Sequence, residues 1–96
     1  MEKNNINLEF DKTISGLAGN EYGYEEYKKQ IRDKFDIKKI NVIIFPQNIE
    51  KVAISFIQGM FRDILSQIDK EELEKYIEIN SSSEELTEKI INNIKF

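Results

Sequence analysis

Lys39-Ile40-Asn41-Val42-Ile43-Ile44-Phe45-Pro46 leads through Gln47-Asn48-Ile49-Glu50-Lys51-Val52-Ala53 into Ile54-Ser55-Phe56-Ile57-Gln58-Gly59-Met60-Phe61-Arg62-Asp63-Ile64-Leu65-Ser66-Gln67-Ile68. The first part is a short β-branched run that Pro46 ends, because proline cannot donate to a sheet ladder. Its unbroken apolar character predicts a strand covered on both faces. Within ten residues the period changes. Ile57, Phe61, Ile64, Leu65 and Ile68 recur at the three- and four-residue spacing of one helix face. A buried strand, a short loop and an amphipathic helix make half of a βαβ unit.

Working outward on the N-terminal side, residues 1–5 are polar and read as loose. Ile6, Leu8 and Phe10 alternate with Asn7, Glu9 and Asp11, the period-two pattern of a strand with one buried face. The next segment carries Gly16, Gly19 and Gly23. Glycines there suggest a phosphate cradle, but the Lys-Ser/Thr of a P-loop is missing and the spacing fits no dinucleotide fingerprint. The segment reads as a turn into a helix with close backbone packing. From Tyr24 to Phe35, Tyr24, Tyr27, Ile31 and Phe35 form one helical stripe, so these aromatics are core.

On the C-terminal side, Asp69 with Glu72 three positions on opens a short acidic helix to about Lys75. Tyr76, Ile77 and Ile79 read as a third strand. Ser81 with Glu84, or Ser82 with Glu85, completes a capping box before Leu86, Ile90, Ile91 and Ile94, so the serines start a C-terminal helix. The predicted order is β-α-β-α-(α)-β-α, with right-handed crossovers between parallel strands. The expectation is one small, open, mostly parallel α/β sheet over residues 1–96.

At 96 residues the chain has room for one modest core. Its 40% hydrophobic content and single proline fit a folded globule. With no cysteine and no histidine, it lacks thiolate chemistry and the commonest metal ligand and general base. That weighs against a hydrolase or a zinc protein. No apolar run approaches the roughly 20 residues of a membrane helix, and the N-terminus leads into no signal-peptide hydrophobic region. A cytoplasmic protein without a membrane partner is expected.

The net charge of −4 falls in the tail: residues 1–68 hold ten acids and ten bases, and residues 69–96 hold eight acids and four bases. An acidic tail is a poor match for nucleic-acid phosphate. The basic cluster of Lys28, Lys29, Arg32, Lys34, Lys38 and Lys39 is interspersed with Glu25, Glu26, Asp33 and Asp36, the pattern of a solvated surface. The carboxylate pairs Glu25 with Glu26, Glu71 with Glu72 and Glu84 with Glu85 are adjacent in sequence and diverge by about 100° on a helix. They do not face one site, and no EF-hand-like spacing supports a metal. No catalytic residue, metal site or cofactor is predicted.

Ser55 stands apart by its placement. A hydroxyl at the first turn of a helix after a parallel strand lies at the carboxyl end of the sheet, where open α/β folds put their sites. It can be an N-cap, or an anion-tolerant position for a phosphoserine. Gly59 in mid-helix costs about 1 kcal/mol relative to alanine and lets another backbone or a partner come close. Phe56 and Met60 lie off the main stripe and either extend the core or form a contact patch.

The strand Val42-Ile43-Ile44-Phe45-Pro46, the stretch from Asn48 to Gly59 and the late Ile77-Glu78-Ile79-Asn80 together resemble the STAS-like domain family, relatives of the STAS domains of anti-sigma-factor antagonists. The resemblance covers nearly the whole chain in order of elements. It implies a non-enzymatic regulatory module that binds a protein partner, often a histidine-kinase-like ATPase. It also implies a phosphorylation or docking position at Ser55, with Phe56 and Gly59 beside it; Asn48, Gln58 and Met60 are partner-contact candidates. The antagonists carry Asp-Ser-Ser-Gly where this chain has Ala53-Ile54-Ser55-Phe56, and Ile44 replaces the acid with which the STAS-like family often ends its central strand. The alternative function is a small acidic inhibitor from a phage or mobile element that mimics nucleic acid.

Overall fold

A computed structural model describes residues 1–95. The chain is an α/β domain built on a small, open, all-parallel sheet of three strands in the spatial order β1 (Lys3–Asn7), β3 (Ile40–Ile44), β5 (Ile77–Asn80). Strands β2 (Gly16–Leu17) and β4 (Lys51–Val52) pair in parallel as a separate two-stranded ribbon. The helices are α1 (Asn20–Glu26), α2 (Ile54–Gln67), α3 (Leu73–Tyr76) and α4 (Glu84–Lys95). A π-helical turn, Tyr27–Ile31, continues α1, and a 3₁₀ turn, Lys70–Glu72, precedes α3.

The register aligns Asn4, Asn41 and Ile77 across the sheet, and next to them Ile6, Ile43 and Ile79. Because side chains alternate faces along a strand, these residues share one face. Ile6, Ile43, Phe45 and Ile79 belong to the single hydrophobic cluster into which every helix contributes, with Ile31, Phe56, Ile57, Phe61, Ile64, Leu73, Leu86 and Ile90 all buried there. Among the described residues Asn41 is the one buried polar residue, and its amide is fully used. It accepts from Asn4 Nδ2 (2.8 Å) and the Asp36 amide (2.9 Å), and donates to the Asp36, Lys39 and Tyr76 carbonyls. That network closes the amino end of the sheet.

The opposite face holds Lys3, Asn5 and Asn7 on β1, Ile40, Val42 and Ile44 on β3, and Glu78 and Asn80 on β5. None of the β3 residues of this face enters the hydrophobic cluster. The strand expected to be covered on both faces has, among the described residues, its helices on one face only. Val42 is buried, at 3% exposed, for another reason. Lys3 and Glu78 reach over β3 to form an ion pair at 3.2 Å, and their side chains roof it.

Three further boundaries differ from expectation. The first strand begins at Lys3, so residues 3–5 are not loose. Pairing with β3, and the bonds from Asn4 Nδ2 to the Lys34 carbonyl and Asn41, order this polar stretch. Phe10 leaves the strand and packs edge-on against Tyr22 and Phe56. At α4 the capping hydroxyl is Ser83, which accepts from the Leu86 amide at 3.1 Å. The two capping boxes expected from Ser81 and Ser82 are replaced by other contacts: Ser81 meets Thr87, and Ser82 donates to the Ile49 carbonyl at 3.0 Å.

Candidate functional site

The loops that follow β1, β3 and β5 meet at the carboxyl end of the sheet, the usual position of sites in open α/β folds. Short polar contacts tie them together. Asn48 Nδ2 donates to the Ile14 carbonyl at 2.7 Å and more weakly to the Asp11 carbonyl at 3.4 Å. The Glu50 amide donates to the Ser15 carbonyl at 2.7 Å, and the β2–β4 ribbon follows. Asn48, expected as a partner contact, is thus a half-buried brace between two loops.

Ser55 is not the N-cap of α2. Ala53 holds that position in extended backbone and makes no side-chain cap. Ser55 Oγ instead accepts the Gly19 amide at 2.9 Å. Gly19 precedes α1 with φ of 107°, a conformation glycine adopts without strain. The hydroxyl therefore fastens the start of α2 to the start of α1. This cross-link joins residues 36 positions apart, which no local motif could have announced.

Phe56, Gly59 and Met60 lie beneath α1: of the two alternatives for Phe56 and Met60 the structure has the core one, and the docking and partner-contact places that the resemblance implied for these residues are corrected. Phe56 and Met60 are each 0% exposed. The Phe56 ring sits edge-on to Tyr22 at 5.2 Å and to Phe10 at 6.2 Å, a favourable aromatic geometry. A Cβ at Gly59 would lie 1.9 Å from the Asn20 carbonyl oxygen, and one at Gly23 would lie 2.1 Å from the Phe56 carbonyl oxygen. The two helices cross backbone to backbone at these glycines. Gly59 does admit a neighbouring backbone, and the neighbour is α1 of the same chain. The sequence signal for this crossing is Gly23, whose spacing reads locally as a turn.

Two residues of α2's start remain outward. Ile54 is 56% exposed, and Gln58 is exposed beside a small groove floored by Ile57, Leu65 and Ile94. A larger, mainly apolar groove of about 390 Å³ runs between the ribbon and α4, lined by Leu17, Val52, Ala53 and Leu86 and by the charged Glu50, Lys51 and Lys89. It is open to solvent.

The site carries little reactive chemistry. Among the described residues no group of three or more His, Cys, Asp or Glu is placed to hold a metal, and no buried side-chain nitrogen or oxygen lacks a partner. Bonds from the Thr13 hydroxyl and amide hold the Asp11 carboxyl below its ordinary pKa. Lys28 does the same to Glu25, and Lys95 to Glu74. Those shifts are opposite to what a general acid needs. Burial pushes the Tyr22 and Tyr27 phenols above their ordinary pKa; Tyr22 also meets the charge of Glu26.

No family model matches this chain, and neither a curated protein nor a solved structure matches it. No helix among the described residues is long and apolar enough to cross a membrane.

Proposed function

We propose that this chain is a non-enzymatic, cytoplasmic regulatory module that docks a protein partner at the carboxyl end of its sheet. The observation that carries the reading is the exposed Ile54, next in sequence to Ala53, which lines an open, mainly apolar groove that Glu50, Lys51 and Lys89 also line. Such a surface suits burial of a partner's apolar side chain. The STAS-like resemblance of the sequence supplies the kind of partner, a histidine-kinase-like ATPase.

The docking surface is then Ile54, the groove and Gln58, with Ser55 just behind. Phosphorylation of Ser55 would put a bulky anion on the oxygen that accepts the Gly19 amide, between the starts of α1 and α2. A phosphate there would act by remodelling this end of the domain.

The acidic-inhibitor reading is less well supported. Of the four carboxylates it relies on, Glu71, Glu72, Glu74 and Glu78, three have a cation nearby: Glu72 lies 3.9 Å from Lys75, Glu74 is paired with Lys95 and Glu78 with Lys3. Mimicry of a phosphate backbone needs unpaired negative charge.

The test is capture of partners from the source cell with the wild-type chain and with Ile54→Asp, a change on an exposed side chain. The expected result is an ATPase retained by the wild type and bound at least tenfold more weakly by the variant, about 1.4 kcal/mol. Equal capture by both, with circular dichroism showing both folded, would place the docking surface elsewhere. Capture lost on neutralising Glu71 and Glu72 together would favour mimicry.

A further inference from the structure

We infer that the helix-free face of the sheet is a self-association surface, covered by the same face of a second copy of this chain. The face alternates with the core side along every strand. Ile40, Val42 and Ile44 form a central apolar stripe, with Lys3 on the β1 flank and Glu78 on the β5 flank. All-parallel sheets are found almost only with both faces covered. In this chain every helix feeds the cluster on the other face.

The charge layout identifies the occupant. A two-fold axis parallel to the strands, lying between two stacked sheets, sets β3 over β3 and β1 over β5 of the copy. Each Lys3 then meets the copy's Glu78, twice over by symmetry, and the apolar stripes stack between the two pairs. That is the self-complementarity an isologous contact requires. A two-fold axis perpendicular to the strands would set β1 over β1 and leave both charges without an opposite partner. The ion pair that roofs Val42 within one copy is exposed, with the two side chains 57% and 42% accessible. Exposed pairs of this kind contribute little to stability, so exchanging it for the intermolecular pair costs little.

The size of the face sets the strength. Three strands of four or five residues span roughly 14 Å by 17 Å from strand spacing and rise. This is well below the ~800 Å² per partner of a standard interface. The association is weak and concentration-dependent, and it leaves the carboxyl-end groove free.

Sedimentation equilibrium up to roughly millimolar protein, with circular dichroism as the fold control, tests it. The wild type should dimerise reversibly. Lys3→Glu and Glu78→Lys should each associate at least tenfold more weakly, because each sets like charges against one another across the axis. An equimolar mixture of the two variants should recover association, since the carboxylate introduced on β1 of one chain then faces the ammonium introduced on β5 of the other. Amide shifts on diluting labelled wild type should fall on residues 3–7, 40–44 and 77–80. A wild type that stays monomeric, single variants that associate like the wild type, a mixture that does not recover, or shifts confined to another surface would each overturn the inference.

Discussion

Strand β3 has two faces, and they are held by different forces. Asn41, Ile43 and Phe45 are each 0% exposed; Ile43 and Phe45 belong to the cluster that the helices complete, and Asn41 is held by hydrogen bonds at the amino end of the sheet. Ile40, Val42 and Ile44, set between them in the sequence, lie under side chains of the flanking strands and one exposed ion pair. The same residue types therefore carry different weight on the two sides. On the helix side each atom is in close packing with several elements, and on the other side the cover is thin and water-exposed.

The strongest test of that contrast is a pair of neighbouring truncations. Ile43→Ala should cost about 2–5 kcal/mol, since the cavity it leaves is walled by rigid neighbours. Val42→Ala should cost about 1–2 kcal/mol, close to the transfer of its methyl groups alone, because Lys3 and Glu78 can settle into the gap. Denaturant melts of the two variants check this. Equal costs would mean that the second face is as well packed as the first. Phe61→Ala, 0% exposed on the helix side, belongs with Ile43→Ala at about 3–5 kcal/mol.

Gly59→Ala sharpens the account of the helix side. Helix propensity alone makes alanine better by about 1 kcal/mol. The added methyl would meet a backbone oxygen at 1.9 Å, and backbone cannot turn aside as a side chain can. A net loss of about 1–3 kcal/mol is expected from overpacking. A more stable variant in thermal melting would refute the backbone crossing. Ser55→Ala should cost about 1 kcal/mol by leaving the half-buried Gly19 amide without its acceptor. Faster exchange of the Gly19 amide proton is the accompanying sign, and unchanged exchange would remove Ser55 as the link between the helices.

The smallest effect is one of pH. Tyr22 and Tyr27 sit on the helix side with phenol pKa values raised by burial. The fold thus favours the neutral phenol over the phenolate. That contribution to stability is complete below the ordinary tyrosine pKa of about 10 and is lost as pH rises from there through the folded value. Tyr27→Phe should flatten the alkaline side of the stability profile and leave neutral pH unchanged in this respect. A phenol that titrates at the ordinary value in a spectrophotometric titration would show that the helix side admits water.

The periodicity of residues 39–68 was enough to place the central strand and α2, whose observed span Ile54–Gln67 agrees with the reading to a residue. Leu86, Ile90 and Ile94 likewise announced α4. These elements were legible because each carries its own apolar pattern, and a pattern of period 2 or 3.6 is a local property of the chain. Shifts at the edges, such as β1 starting at Lys3, came from partners: a polar strand is ordered by the strand beside it and not by its own residues.

What only the tertiary structure decided is which neighbour fills each face. A run such as Ile40–Phe45 shows that both faces of a strand are apolar, and it is silent on whether helices or flanking side chains cover them. Gly59 indicated a close approach, and the assembled fold supplied α1 in the role of partner. Ser55 had the composition of a cap, yet its oxygen went to an amide 36 residues away. Cap, core and contact patch call for the same residue types in the same local pattern. They differ in what stands opposite, and that is set by contacts between segments distant in sequence.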